Sequence, residues 1–175
     1  KLTYAGTIME LMTSFVKVFA VILVLHVVIL LFQYTVAGTA AKKNPFGLIK
    51  NMIPAYTTAI GTQSSAATIP VTVECTKKNG VSDAIAEFVC PLCATIHLSG
   101  STITLTSCSI AVMMMMGQPV TFGKMFPFIL MLGVTMVAAP GVPGGAVMAA
   151  LGILQSMLGF DETMCGLMIA LYIAQ

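Results

Sequence analysis

Residues 137–151 read VAAPGVPGGAVMAAL, with two prolines and three glycines inside a run that is otherwise apolar. Proline removes a backbone donor and glycine opens positive φ, so no continuous helix passes through Pro140–Gly145. On either side, Met125 to Ala139 is about 15 residues and Ala146 to Leu158 about 13, so each arm reaches about 20 Å at the helix rise. A hydrocarbon core of about 30 Å is crossed by neither arm. The block turns the chain back on itself.

That turn matters because the surroundings are greasy throughout. Hydrophobic residues make up 58% and charged ones 8% of the 175 residues, far from the ~25% charge of soluble domains. The composition is that of a membrane protein. Phe15–Phe32 supplies 18 consecutive, almost wholly apolar residues, about 27 Å of helix and enough to span. Lys17 lies near one end of it and can snorkel. His26 falls nearer the middle, as a proton relay or as a residue bonded to a neighbouring helix. The net charge of +2 comes from lysines without any arginine, too weak and dispersed for nucleic acid. The first apolar stretch is long and lacks the cleavage site that would follow a short one, so it is not expected to be a secretory signal. The chain opens on KLTYAG and stops at MIALYIAQ inside an apolar run, as a fragment is expected to.

Lys42, Lys43 and Lys50 mark one polar segment and Lys77 and Lys78 another; the positive-inside rule puts both in the cytoplasm. The stretch 45–75 between them must therefore enter and return, with a tip near Thr62–Thr68 where Ser64 and Ser65 can bond unpaired amides. The next segment, Val81–Gly117, is long enough to span, yet its middle, Cys93–Thr102, is polar. It suits an unwound stretch lining a cavity, or a continuous helix whose hydroxyls bond back to its own carbonyls. Because that segment crosses, the second hairpin, 124–160, enters from the opposite face. The expected fold is an all-α integral membrane protein with two oppositely oriented re-entrant helical hairpins around an unwound transmembrane helix. Its divisions are 1–41, a spanning helix; 42–80, the first hairpin; 81–121, the broken helix; 122–161, the second hairpin; and 162–175, the start of a further helix. Paired interruptions near the midplane point to a secondary transporter.

Other chemistry is poorly supported. Cys90 and Cys93 stand alone as CPLC, and Met113–Met116 lacks ligands to complete a soft-metal site, so both read as packing. An enzyme needs a paired nucleophile and base; His97 and Ser99, two apart, point away from each other on a helix. A carbonyl-lined channel is the stronger rival, although two gates facing opposite ways suit alternating access. Asp161 and Glu162 read as a solvated or helix-starting pair at the outer surface.

QSSAATIPVTVE, FVCPLCATIHLSGST and APGVPGGAVMAAL, in this order and spacing, resemble the core motifs of the dicarboxylate/amino acid:cation symporter family, the glutamate transporters. The resemblance covers essentially residues 5–175 and implies the portion from the sixth membrane helix into the eighth. It implies that Ser64 and Ser65 bond a substrate carboxylate, that Ser101 contacts substrate, and that Gly141, Val142 and Gly144 belong to an outer gate. It implies backbone carbonyls of Cys93, Thr95, His97, Met136, Val137 and Ala139 as sodium ligands. The complete protein is then implied to be a multi-pass homotrimer of the cell membrane, expected as a prokaryotic plasma membrane, importing an amino acid or dicarboxylate with sodium.

Departures from the family pattern sharpen the expectation. His97, Leu98 and Ser99 stand where the family has Asn-Met-Asp. A hydroxyl thus replaces a carboxylate at a cation site, which predicts fewer coupled sodium ions; proton coupling is the alternative, with a channel-like or proton-coupled organic-anion transporter as the other functional reading. Gln63 stands where some relatives carry Arg, and this favours a neutral or zwitterionic amino acid over a dicarboxylate.

Overall fold

The computed structural model describes residues 2–174, with side chains from Phe15 onward. Helices form every regular element among them. Helix α1, Leu2–Ala41, has 40 residues, about 60 Å at the helix rise. Its part Phe15–Ala41 is long and apolar enough to cross a membrane. Val16, Val24 and Phe32 on it stand 62–65% exposed, a surface suited to hydrocarbon rather than water.

α1 ends where Lys42 takes a left-handed conformation, φ 54°. Asn44 then caps α2, Pro45–Thr62, accepting from the Phe46 amide at 2.9 Å. Proline occupies the first helical position, where its missing N–H is no loss. The chain reverses at Gln63 and Ser64 into α3, Ser65–Lys78, which lies alongside α2. Asn79 ties the open end of this hairpin: its side chain bonds Asn51 at 2.8 Å and the Leu48 carbonyl at 3.2 Å, and its carbonyl accepts from Lys43. The two lysine-bearing segments therefore lie at one end. There Lys77 sits 2.8 Å from Glu87, 3.7 Å from Glu74 and 3.8 Å from Asp83. The Glu87 hydrogen bond, opposed by desolvation and helped by the surrounding carboxylates, holds the Lys77 pKa above the usual 10.5.

α4, Asp83–Ile96, and α5, Ser99–Met115, form an apolar rod of 33 residues, long enough to span and interrupted at His97 and Leu98. The interruption is narrower than the Cys93–Thr102 stretch expected from polarity. Thr102 explains the difference: its hydroxyl and its amide both donate to the Leu98 carbonyl at 3.0 Å. A hydroxyl that bonds back within its own helix needs no unwinding to be satisfied.

The second helix pair is α6, Phe122–Met136, and α7, Gly145–Ile153, which continues through a π turn at Leu154–Leu158. Lys124 donates to the Leu158 carbonyl at 2.9 Å and joins the open ends. Asp161 then caps α8, Glu162–Ile173, accepting from the Met164 amide at 2.8 Å, so this acidic residue starts a helix. One core unites these later elements. Leu105, Val112 and Met113 of α5, Phe128 and Leu132 of α6, Val147 of α7 and Met168 of α8 are all fully buried in it. α1 reaches this core through Ile22. Met52, Ala55 and Cys75 make a separate small cluster beneath the first hairpin.

Candidate functional site

The turns of both hairpins meet. Gln63, with φ 50°, reverses α2, a conformation that disfavours side chains. Ser64 follows in extended geometry and caps α3, its hydroxyl oxygen accepting from the Ala67 amide at 3.2 Å. The same hydroxyl donates to the Gly141 carbonyl at 2.7 Å, and the Ala66 amide donates to that carbonyl at 3.2 Å. Glycine at 141 suits this approach: a Cβ there would lie 3.2 Å from the Ala66 nitrogen, so the facing turn would have to give by a few tenths of an ångström. On the far side of the turn Gly144 has φ 72° and opens α7.

Behind the joined tips lies a cavity of about 1040 Å³. Gln63, Ser64, Ser65, Gly141, Val142 and Gly144 line one end of it. The break between α4 and α5 lines another part through His97, Leu98 and Ser101. Ser101 hydrogen-bonds the Tyr172 hydroxyl of α8 at 3.0 Å. Hydroxyls continue down α3, where Thr68, Thr72 and Thr76 face the cavity and each donates to the carbonyl four residues earlier. Phe19, Ile22 and Leu23 of α1 form apolar wall opposite. No Lys, Asp or Glu lines the cavity among the described residues.

Helix ends converge here as well. α2, α4 and α6 end, and α3, α5 and α7 begin, at the tips and the break. Ends of helices carry unpaired carbonyls with partial negative charge and unpaired amides with partial positive charge. Carbonyl oxygens are hard donors of the kind a sodium ion takes, and amide ends suit a carboxylate.

The expected cation ligands divide. Cys93 and His97 line the cavity; the Cys93 carbonyl accepts from the His97 amide at 2.9 Å, leaving one lone pair. Thr95 lies off the cavity wall, its hydroxyl bonded to the Leu92 carbonyl at 3.1 Å. Met136 ends α6, Val137 is its C-cap and Ala139 lies two residues further on, where the Ala139 amide bonds the Met136 carbonyl at 3.2 Å. None of the three lines the cavity. Ser99 opens α5, and its hydroxyl accepts from the Gln33 amide of α1 at 3.3 Å. Cys90 lines the cavity and bonds the Thr76 hydroxyl at 3.4 Å, and among the described residues no cluster of three His, Cys, Asp or Glu side chains could hold a metal.

Sequence reasoning did not find Tyr172, Gln33 or the threonine stripe. The stripe had a local signal in its spacing of four, which puts side chains on one helix face. Tyr172 and Gln33 had none, since their partners are 71 and 66 residues away in the chain.

A model of the sodium:dicarboxylate symporter family matches residues 1–175. The chain belongs to the sodium:dicarboxylate symporter family. Among its relatives it is 29% identical over 117 residues to the neutral amino acid transporter B(0) of Rattus norvegicus, covering 66% of this chain and 21% of that protein. It is 31% identical over 117 residues to an excitatory amino acid transporter of Caenorhabditis elegans, covering 66% and 23%. To the human neutral amino acid transporter A it is 29% identical over 117 residues, covering 66% and 22%. The chain thus spans less than a quarter of the length of these relatives. Sodium:dicarboxylate symporters are membrane transporters, not enzymes. The helix-only architecture agrees with that membership.

Proposed function

We propose that the complete protein is a secondary active symporter that imports a small amino acid or dicarboxylate with sodium by alternating access. α2–α3 and α6–α7 act as re-entrant hairpins entering from opposite faces of a plasma membrane. The observation that carries this reading is the closure of their tips, Ser64 on Gly141 at 2.7 Å, over a cavity lined by hydroxyls and helix ends. A contact made by only a few hydrogen bonds can open and reclose at modest cost, as a gate must.

The substrate class follows from charge. Among the described residues the wall holds no Lys, Asp or Glu, and with Gln63 at the first tip it offers no fixed cation for a second carboxylate. A neutral or zwitterionic amino acid fits this wall better than a dicarboxylate. Ser65 and the free amides opening α3 and α7 hold the carboxylate, and Ser64 joins them when its hydroxyl releases the Gly141 carbonyl; Ser101, steadied by Tyr172, contacts the substrate; Gly141, Val142 and Gly144 form the outer gate. Sodium is the co-substrate, taken by carbonyls at the ends of α4 and α6. Ser99 bonds neutral Gln33 instead of offering a carboxylate, which supports fewer sodium ions per cycle than in carboxylate-bearing members. The assembly is a homotrimer.

The test is uptake by the full-length protein in proteoliposomes. Saturable accumulation of a neutral amino acid driven by an inward sodium gradient, with less than a tenth of that rate for a dicarboxylate, is the expected result. Non-saturating flux without exchange would identify a channel instead.

A further inference from the structure

Five of the eight lysines, Lys42, Lys43, Lys50, Lys77 and Lys78, lie at the open end of the first hairpin, and nothing in the proposed cycle uses them. Lys77 is engaged by Glu74, Asp83 and Glu87, and no other lysine forms an ion pair among the described residues. Three of the unpaired lysines are brought together. Lys43 from the link after α1, Lys50 from α2 and Lys78 from α3 all line a second cavity, of about 380 Å³. Like charges gathered this way repel one another, so other bonds must hold the cluster. Asn79 supplies them: it accepts from Asn51 and from the Lys43 ammonium and donates to the Leu48 carbonyl.

The remaining lining supplies donors without a countercharge. Among the described residues no Asp or Glu lines this cavity. Asn44 uses its side-chain oxygen to cap α2 by accepting from Phe46, which leaves its carboxamide hydrogens free. Gly47, in the first turn of α2, lines the cavity as well, and its amide finds no acceptor among the described residues. Ammonium, carboxamide and helix-start amide together are the donor set that a phosphate takes. Two observations place that phosphate on a lipid. The apolar span of α1 ends at Ala41, two residues before Lys43. Phe46, beside Gly47, is 73% exposed, and an apolar ring flanked by lysines is the division of an interfacial anchor, ring toward the hydrocarbon and ammonium toward the headgroups.

We propose that this cavity binds the headgroup phosphate of an anionic glycerophospholipid. Lys43, Lys50 and Lys78 surround the phosphate oxygens, the Gly47 amide and the Asn44 carboxamide donate to them, and Phe46 lies beside the acyl chains. A headgroup held in this way bridges the end of α1, α2 and α3. It braces the open end of the hairpin while the tip at Ser64 is left to part from Gly141. The leaflet in which the lipid sits rests on the hairpin reading above; the lipid site itself does not.

The test is direct binding to the full-length protein in detergent micelles, with phosphatidylglycerol carrying a fluorescent acyl chain as the probe and its anisotropy as the readout. Saturable binding is expected, displaced by unlabelled phosphatidylglycerol and not by the same amount of phosphatidylcholine. Lys50→Gln and Lys78→Gln should each weaken it about fivefold, the worth of one lysine at an anionic headgroup. Lys42→Gln removes the same charge from a neighbour that does not line the cavity, and should weaken it less than about twofold. Phe46→Ala should weaken it about fivefold through lost apolar contact. All four side chains are exposed, so the substitutions leave the fold in place. An equal loss in Lys42→Gln would reveal diffuse attraction and overturn the site, as would the absence of saturable binding. Displacement by free inorganic phosphate, with Phe46→Ala binding like wild type, would assign the cavity to a soluble anion and overturn the lipid. Failure of the wild type to take up any amino acid, with this binding intact, defeats the symport reading and leaves the lipid site standing.

Discussion

The hydroxyl of Ser64 donates to the carbonyl of Gly141 at 2.7 Å, joining the turns of two helical hairpins whose residues lie 77 positions apart in the chain. The same oxygen caps α3 by accepting from Ala67. One side chain therefore starts a helix and latches the tips.

Ser64→Ala removes both roles. Loss of the cap alone costs about 1 kcal/mol, and the inter-tip bond adds about as much. The full-length variant should lose about 2 kcal/mol against denaturant, and a Val142→Cys reporter should react faster with an externally added thiol reagent. An unchanged labelling rate would mean that the tips separate without regard to this bond.

Gly141→Ala tests the same contact without touching the cap. Its Cβ would press on the Ala66 nitrogen at 3.2 Å, so the tips must part slightly. Faster Val142→Cys labelling with near-normal stability is expected. A variant that labels like wild type would show that the approach is not maintained in the membrane.

Ser99→Asp restores a carboxylate next to the amide of Gln33, which already donates to this position. The expected outcome is a steeper dependence of uptake on sodium, read as a higher Hill coefficient and a changed charge-to-substrate ratio. Identical sodium dependence before and after the substitution would count against the reading that this chain couples to fewer ions.

Lys77 gives a pH dependence with a definite sign. Its folded pKa lies above the unfolded value of 10.5, first through the Glu87 hydrogen bond. Its stabilising contribution is therefore fully present below pH 10.5 and is lost as the pH rises through the folded value. Thermal denaturation should show a constant gap between wild type and Lys77→Gln from neutral pH upward, closing only above that point. A gap that closes between pH 7 and 9 would assign the effect to another group.

Lys124 bonds the Leu158 carbonyl at the open end of the second hairpin. Lys124→Met should destabilise the full-length protein by about 1.5 kcal/mol, the usual worth of a hydrogen bond from a charged donor. Val134→Ala, at a side chain 69% exposed on the same helix, serves as the control and should change stability far less.

The sequence alone determined where this chain can and cannot be helical. Pro140 and Gly144 stop α6 and start α7 wherever they are placed, because a missing donor and a positive φ are local properties. Ser64 and Asp161 announce helix starts for the same reason, since each caps an amide three residues on. Even so, local polarity overstated the break near His97, because Thr102 satisfies its hydroxyl within the helix. Only the tertiary structure decided which ends meet. Ser64 with Gly141, Gln33 with Ser99, Ser101 with Tyr172 and His26 with Gly100 are pairs 66 to 77 residues apart. Hydrogen bonds report distance in space, and helix rules reach about four residues along the chain. Cavity and gate contacts therefore appear only once the helices are packed.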